Sequence, residues 1–248
     1  MTIRKLIMFT AAVCLPAWAA LGAGAGAGNG VANVRSFGAE GDGLSDDTAA
    51  ILKAVASVPE RGGVVYFPAG QYLSATIPGR NGVTFKGDSG WDYRGASVGA
   101  STISPVRDDL PCLFDLKGSL GTRLVGLVLD GKGKGREMHG VYSKHAGAEQ
   151  NIVIDDCKIT AFSGSGIRLD NVWVFAIRHS YIVHNKRSGI DGSGSYDGWV
   201  LDNQITGNQR GGIYATNFAT VTITANRIEW NKVGGIGKGV NPYLGSTL

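Results

Sequence analysis

Apolar and polar residues alternate in short runs along the second half of the chain, and most runs end at a glycine or an asparagine. The clearest series is a glycine followed by Val or Ile, at spacings of 26, 23, 23 and 23 residues. Its members are Gly140-Val141, Gly166-Ile167, Gly189-Ile190, Gly212-Ile213 and Gly235-Ile236. A helix would need an i, i+3, i+4 stripe, which is absent, so the pattern predicts short strands in a repeating unit.

Three further series run in step with these pairs at the same 23-residue spacing. They are an apolar series (Ile154, Ile177, Val200, Ile223), a small or polar series (Cys157, Ser180, Asn203, Asn226) and an asparagine series (Asn185, Asn208, Asn231). Each unit therefore has three short strands, separated by two polar corners and a glycine corner. Stacking such units makes the strands parallel and aligns equivalent residues. The sequence predicts an all-β, single-stranded parallel β-helix, a solenoid of about seven coils.

The asparagine columns fit this stacking in two ways. Asparagine tolerates the left-handed backbone of a sharp corner. Its side-chain amide can also donate to, and accept from, the equivalent asparagine one coil away. We therefore expect Asn203 and Asn226 to be structural corner residues.

Upstream of Gly140 the repeat is weaker, and one helix is predicted. Asp46 is a suitable N-cap for it, and Asp47 suits the positive end of a helix. Ile51, Leu52 and Val55 would form its apolar face. We predict an N-terminal cap over residues 33–60 and coils over residues 61–248.

Two motifs surround this helix. They are F-G-A-x-G-D-G-x-x-D-D-T-x-A-I at residues 37–51 and G-G-x-V-x-F-P-x-G-x-Y at residues 62–72. Together they resemble the opening of pectate lyase superfamily proteins, and more narrowly the rhamnogalacturonase/epimerase-type pectate-lyase-like domain. The resemblance implies a right-handed β-helix whose short helix caps the N-terminal end. It also implies that substrate lies along the sheet that follows the third corner.

The N-terminal residues have a different composition. Arg4 and Lys5 precede an apolar run that ends at Ala17-Trp18-Ala19, which is typical of a signal peptide over residues 1–19. Residues 20–32 form a Gly/Ala-rich leader. We expect a secreted or periplasmic protein with no membrane span once the signal is removed. Its 22 basic and 20 acidic residues then give a net charge of +2, too weak to indicate a nucleic-acid partner.

Two features of the mature chain leave alternatives open. Cys112 and Cys157 could pair in an exported protein, but two cysteines are not a disulfide framework. The chain stops at Leu248, shortly after the last Gly-Ile pair, without an obvious capping helix. A bare parallel edge invites association, so expectations include a C-terminally truncated domain and an oligomer formed through the exposed C-terminal coil.

The sheet implied to hold substrate begins at each Gly-Ile or Gly-Val pair. If Val141 and its equivalents point inward, the next residue in each coil points outward. The candidate catalytic residues are therefore Tyr142, Arg168, Asp191 and Tyr214, together with His139 from nearby. The candidate substrate-binding residues are Lys144, Asp170, Lys186 and Arg187.

These residue types suit an acidic, uronate-containing polysaccharide. A guanidinium can neutralise a uronate carboxylate, and Tyr, His or Lys could move the proton beside it. Hydrolysis would need paired carboxylates instead, and Asp170 and Asp191 are available. The W-x-D-H motif of Ca-dependent pectate lyases and the D-P-H motif of alginate epimerases are both absent. The open hypotheses are a polysaccharide lyase, hydrolase or epimerase, and a non-catalytic β-helix that binds glycan or serves as a surface module. No cofactor is predicted, and no acidic cluster supports Ca²⁺ binding.

Overall fold

The computed structural model describes residues 30–88, 99–145 and 149–236, which form a right-handed solenoid of three parallel sheets. The first sheet contains Val31–Asn33, Gly63–Phe67, Val83–Gly87, Arg123–Val125, Glu149–Asp155, Trp173–Arg178, Tyr196–Leu201 and Thr222–Thr224. The second sheet contains Asp42–Asp46, Gly70–Ser74, Ser101–Pro105, Val128–Asp130, Lys158–Thr160, Tyr181–Val183, Gln204–Thr206 and Arg227–Glu229. The third sheet contains Ile77–Pro78, Cys112–Asp115, His139–Lys144, Ile167–Asp170, Ile190–Ser193 and Ile213–Thr216. The predicted all-β parallel β-helix is confirmed.

Each turn of the chain passes from the first sheet to the second and then to the third. Equivalent residues of successive coils pair directly, so that Ile167 lies opposite Ile190, and Ile190 lies opposite Ile213. All three are fully buried, because alternate residues of each strand point into the solenoid. The core is therefore a set of apolar columns, and their burial is the main favourable term in folding.

Two glycines make room for large aromatic rings in this core. A side chain at Gly198 would collide with the ring of Phe175, and one at Gly192 would collide with the ring of Phe218. The rings of Phe175 and Phe218 are fully or almost fully buried, with centroids 5.9 Å apart. These rings occupy the interior volume that inward-facing side chains would otherwise fill.

The predicted capping helix is present as Thr48–Ser57, preceded by the 3₁₀ helix Val34–Phe37. Its apolar face is buried against the first coil, with Ile51 and Ala54 fully buried. The strand Val31–Asn33 begins in the residues predicted as leader, so the leader prediction is wrong for Val31 and Ala32, which pair with the first coil. The strand Asp42–Asp46 lies within the predicted cap, and the two strands extend the first and second sheets.

The predicted N-cap is wrong by one residue. Asp46 ends a strand, and Asp47 is the residue that precedes the helix. The Asp46 carboxylate still accepts a 3.0 Å hydrogen bond from the Thr48 amide. The buried Asp47 carboxylate instead accepts from the amides of Glu40, at 2.7 Å, and Gly41, at 3.3 Å. It therefore fixes the preceding loop and makes no side-chain bond to the helix.

The asparagine ladders are present, but they do not provide the left-handed corners. Asn208 Oδ1 accepts from both the amide and the side chain of Asn185, and Asn208 Nδ2 donates to Asn231 Oδ1. The left-handed residue is the one before each asparagine, for example Asp202 before Asn203 at φ 52°. The side-chain part of the prediction is confirmed and the backbone part is wrong, because the turn is made one residue earlier.

Several predictions fall outside the described residues. They are the signal peptide at 1–19, the leader up to residue 29, and the C-terminal edge after Ile236. Among the described residues, no helix is long and apolar enough to cross a membrane. Cys112 and Cys157 are both buried free thiols, and burial raises the pKa of each to about 12.

Candidate functional site

The outward residues of the third sheet form the predicted column. Tyr142 lies opposite Arg168, Arg168 opposite Asp191, and Asp191 opposite Tyr214. We call these four residues the third-sheet column. A second column two residues further on is also in register, as predicted: Lys144, Asp170, Ser193 and Thr216. Parallel stacking alone therefore places the candidate side chains on one face, one coil apart.

Arg168 is held by two carboxylates of this face. Its Nε donates to Asp170 Oδ2 at 3.1 Å, and its Nη1 lies 3.9 Å from Asp191 Oδ2. Burial opposes the charge, but the bond to Asp170 and the two negative charges outweigh it and raise the pKa of Arg168. The guanidinium is thus permanently charged and fixed in position, and its side chain remains 30% exposed.

Asp191 is the most enclosed member of the third-sheet column. It is buried, and its Oδ2 accepts from Ser165 Oγ at 3.3 Å. Arg210 Nη1 lies 3.7 Å from the same oxygen, while the Arg210 guanidinium lies over the Tyr214 ring, 3.7 Å from its centroid. The Asp191 carboxylate is therefore stabilised by two cations and a hydroxyl, and Tyr214 is partly covered by Arg210.

His139 begins the third-sheet strand that carries Tyr142, and the two rings lie 6.2 Å apart. Its Nδ1 accepts a 3.0 Å hydrogen bond from the Ser165 amide. Burial lowers the pKa of His139, and the charge of Arg168 lowers it further. The ring is therefore neutral near pH 7, and its proton is on Nε2 because Nδ1 is occupied as an acceptor. In this state Nε2 of His139 is a neutral hydrogen-bond donor.

Tyr142 is held in its protonated form in this arrangement. Burial raises the pKa of Tyr142, and the negative charge and hydrogen bond of Asp170 raise it further. Lys117 Nζ lies 5.6 Å from the ring centroid, and the same ammonium is paired with Asp115 at 3.1 Å. The phenol is thus protonated near pH 7, and Asp170 is the acceptor beside it.

The remaining predicted residues lie further from this cluster. Lys144 is exposed in the second column. Lys186 and Arg187 follow the second sheet, and their amides donate to the carbonyls of Phe162 and Gly164. The Arg187 guanidinium is hydrogen-bonded to Glu137. The structure therefore brings together Tyr142, His139, Arg168, Asp170 and Asp191 and leaves the basic loop residues at the margin.

Sequence reasoning missed three contributors: Lys117, Ser165 and Arg210. Arg210 follows Arg187 by 23 residues, so the repeat itself could have identified it. Ser165 also lies in the repeat, because it precedes Gly166-Ile167 as Ser188 precedes Gly189-Ile190. Lys117 belongs to a less regular segment and had no such signal. A polar cavity of about 540 Å³ lies beside Lys117, lined by Glu60, Gly79, Arg80, Asn81, Lys117, Gly118 and Ser119. It adjoins the N-terminal end of the face and does not contain the third-sheet column.

In residues 30–88, 99–145 and 149–236, no three His, Cys, Asp or Glu side chains are grouped as ligands for an ion.

Two protein families match this chain in separate segments. Residues 31–107 match "Rhamnogalacturonase A/epimerase, pectate lyase-like", and residues 135–242 match "Right handed beta helix region". The chain belongs to the pectate-lyase-like superfamily of right-handed β-helices, which confirms the resemblance drawn from its N-terminal motifs.

Among individual proteins, mannuronan C5-epimerase AlgE2 of Azotobacter vinelandii is 29% identical over 236 residues. That alignment covers 87% of this chain but 23% of the relative, so the chain spans less than a quarter of the relative's length.

Two solved structures have a similar fold. The A-module of mannuronan C-5 epimerase AlgE6 from the same organism has a TM-score of 0.53 at 18% identity, covering 82% of this chain and 74% of that module. DFA-IIIase from Arthrobacter chlorophenolicus has a TM-score of 0.63 at 18% identity, covering 80% of this chain and 60% of that enzyme. At these identities the likeness concerns the fold.

Proposed function

We propose that the protein acts on a uronate-containing polysaccharide that lies across the third-sheet column. The observation that carries this proposal is the column itself, in which Tyr142, Arg168, Asp191 and Tyr214 follow one another coil by coil. Strands of neighbouring coils are about 4.8 Å apart, so an extended polymer would meet several of these side chains at once. Similarity to mannuronan C5-epimerases, whose name specifies a uronate polymer, supports the same substrate class.

Arg168 is the best candidate to recognise the uronate carboxylate. Asp170 and Asp191 already fix its orientation, which removes much of the entropy cost of binding. A guanidinium carries five N–H donors, and the bond from Arg168 to Asp170 uses the one on Nε. His139 Nε2 supplies a neutral donor on the same face. Together these groups would withdraw charge from the carboxylate and acidify the adjacent C–H bond.

The proton-transfer groups follow from their charge states. A lyase or epimerase must remove the proton on the carbon beside the carboxylate. Asp170, the acceptor beside Tyr142, is the candidate base, and the protonated Tyr142 is the candidate acid. In elimination the proton would go to the base, the bond to the leaving oxygen would break, and a C=C bond would form. In epimerisation a proton would instead return from the opposite face.

The test uses polymannuronate and polygalacturonate as separate substrates for the purified full chain. Ultraviolet absorbance reports the unsaturated product of a lyase, proton NMR in D₂O reports epimerisation, and reducing-end release without unsaturation reports hydrolysis. We expect Arg168→Ala to lower turnover by roughly 10- to 150-fold, equivalent to about 1.5–3 kcal/mol for a charge-assisted hydrogen bond. It should leave the thermal midpoint nearly unchanged.

The matched control is Arg227→Ala. Arg227 Nε is paired with Glu229 at 2.8 Å, two residues along a strand, as Arg168 is with Asp170, but on the second sheet. This variant should keep full turnover. If Arg168→Ala also keeps full turnover on the identified substrate, the third-sheet column is not the site.

A non-catalytic glycan-binding module is the second candidate. The observation in its favour is that three cations of this face and its margin already have carboxylate partners: Arg168 with Asp170, Lys117 with Asp115, and Arg187 with Glu137. The D-P-H motif of alginate epimerases is also absent. Binding of either polyuronate by calorimetry, without any of the three products, would establish this alternative.

A further inference from the structure

The first sheet carries an aromatic cavity on a different face of the solenoid from the third-sheet column. It has a volume of about 290 Å³ and is lined by Trp173, Tyr196, Asp197 and Thr220. Trp173 lies opposite Tyr196 on the neighbouring coil, and the two rings meet edge to face with centroids 5.6 Å apart. The cavity is therefore built by stacking, from equivalent positions of successive coils.

The backbone beside these rings has an unusual conformation. The residues after Trp173 and Tyr196 are left-handed, with φ of 57° at Val174 and 53° at Asp197, and the next coil repeats this at Thr220, with φ of 56°. Val and Thr are β-branched, so a positive φ is costly for them. Strain of this kind persists only where the surrounding structure enforces it, and here the stacking of the coils does so, as at other corners of the solenoid.

The indole N–H of Trp173 supplies an independent observation. Trp173 Nε1 is buried and has no hydrogen-bond partner among the residues that the structure describes. A buried donor without a partner destabilises the folded protein, because its lost hydrogen bond to water is not replaced. A ligand hydroxyl that accepted a hydrogen bond from this N–H would remove the destabilisation. The cavity thus combines two aromatic rings, a carboxylate and a hydroxyl, and one of the two rings carries a buried donor without a partner.

The charge of the cavity distinguishes its ligand from that of the third sheet. Asp197 is the charged residue in the lining, and the exposed Glu149 lies opposite Trp173 on the preceding coil. A polyuronate would meet the carboxylates of Asp197 and Glu149 here, and none of the residues that line the cavity is a cation. Neutral sugars would be accepted, because their C–H faces pack on aromatic rings and their hydroxyls donate to carboxylates. The volume corresponds to roughly ten waters at about 30 Å³ each, which is enough room for one hexose unit.

We infer that Trp173, Tyr196, Asp197 and Thr220 form a binding site for one sugar unit of a neutral glycan. This site is separate from the third-sheet column and does not depend on the proposed activity there. Binding of a neutral glycan on one face would hold the protein within the glycan matrix. The other face would then meet a high local concentration of any other polymer in the same matrix.

The experiment titrates the full chain with neutral hexasaccharides, namely cellohexaose, mannohexaose and maltohexaose, and with hexamannuronate as the acidic comparison. Indole N–H signals are followed by NMR, with the Trp173 signal assigned from Trp173→Phe, and affinities are measured by calorimetry. At least one neutral hexasaccharide should shift the Trp173 signal. Trp173→Ala should weaken its binding by about tenfold or more, the loss of one stacking partner with its hydrogen bond.

Two variants separate a lost site from a lost fold. Asp197→Asn keeps a residue that tolerates a left-handed backbone and removes only the charge, so it should fold normally and bind about threefold or more weakly. Trp230→Ala removes a tryptophan that is 76% exposed elsewhere on the surface, and it should bind like the unmodified chain.

Three results would overturn the inference. The first is no shift of the Trp173 signal with any neutral hexasaccharide at about 10 mM, a concentration that detects even millimolar dissociation constants. The second is an equal loss of affinity in Trp173→Ala and Trp230→Ala. The third is binding of hexamannuronate at Trp173 in place of the neutral sugars. The third-sheet activity on polyuronates is measured independently, so either conclusion can fail alone.

Discussion

From residue 149 onward the coils are uniform, whereas the earlier coils differ in length. Along the first sheet, paired residues of successive coils are 33, 20, 39 and 30 residues apart in the order Val31, Val64, Thr84, Arg123 and Val153. The next three steps, to Ala176, Trp199 and Thr222, are all 23 residues. Both halves nevertheless build the same three sheets, so a fixed coil length is not required for stacking.

The halves differ in the side chains that occupy their corners and core. The C-terminal half uses asparagine ladders, in which each amide bonds the next coil, and these require equal coil lengths. The N-terminal half has no such ladder among its described residues and relies on its capping helix and on apolar packing, as between the rings of Phe85 and Phe114 with centroids 5.2 Å apart. Large rings also occur in the C-terminal half, at Phe175 and Phe218, where they accompany the ladders. Apolar packing is non-directional, and it therefore tolerates loops of different lengths between strands.

The largest effect is expected from breaking a ladder in its middle. Asn208 is fully buried between Asn185 and Asn231 and also donates to the Ile182 carbonyl. Asn208→Leu should destabilise the protein by about 3 kcal/mol, because it leaves more than one buried group unpaired. Urea unfolding measures the change.

The control for this variant lies in the other half. Asn81 Oδ1 accepts one exposed hydrogen bond, from the Leu120 amide, and Asn81→Leu should cost about 1 kcal/mol or less. At the corner column one sheet earlier, Asn203→Leu should cost roughly 1–3 kcal/mol. Equal midpoints for Asn208→Leu and the unmodified protein would mean that the ladders contribute nothing to stability.

The next effect concerns space in the uniform half. A methyl group at Gly192 would collide with the Phe218 ring, so Gly192→Ala should destabilise by about 2 kcal/mol through overpacking. Gly133→Ala is the comparison, because Gly133 has a φ of 68° and open space around its Cα. Only the backbone penalty of about 1 kcal/mol applies there. Thermal melts that rank Gly133→Ala as the more harmful change would contradict this account.

The predictability of the fold follows the same division. The 23-residue spacing identified the strands from Gly140 onward and placed the third-sheet column in register, because equal coils convert sequence spacing directly into spatial contact. The earlier coils could be placed only through the N-terminal motifs. The left-handed positions were missed, since they hold Val174, Ala225 and Trp230 as readily as Gly207. At these corners the stacking of whole coils overrides local preference.

The candidate site was predictable in its positions and less so in its charge states. Register alone placed Tyr142, Arg168 and Asp191 together. That Arg168 is already bonded to Asp170, and that His139 is a neutral donor, depend on side-chain geometry and burial. Spacing carries no information about either property.

His139 lies where the two halves join, and its titration should make the stability of the fold depend on pH. Its pKa is lowered by burial and by Arg168, with Glu137 and Asp191 acting in the opposite direction and Arg187 lowering it slightly. As the pH falls below about 6.5, the unfolded chain takes up a proton that folded His139 resists. Stability should therefore fall until the lower folded pKa is reached. His139→Gln should flatten the dependence of the unfolding free energy between about pH 7.5 and pH 5.5; parallel curves for the two proteins would show that His139 does not contribute.

The smallest effect should be a gain in stability. One column of left-handed residues on the first sheet contains Asn151, Val174, Asp197 and Thr220. Asn151 and Asp197 tolerate this backbone, whereas a β-branched residue does not. Val174→Asn should therefore stabilise the protein by about 0.5–1 kcal/mol, with part of the relieved strain offset by lost burial of the half-buried valine.

Thermal unfolding of Val174→Asn would measure this gain, and Val153→Asn is the opposing control. Val153 is buried on the same sheet and is not among the left-handed residues, so asparagine there should destabilise by about 1–3 kcal/mol. A loss of stability in Val174→Asn would mean that the valine side chain contributes more through packing than its backbone costs. The strain next to Trp173 would then be small, and the uniform coils would be regular in conformational energy as well as in length.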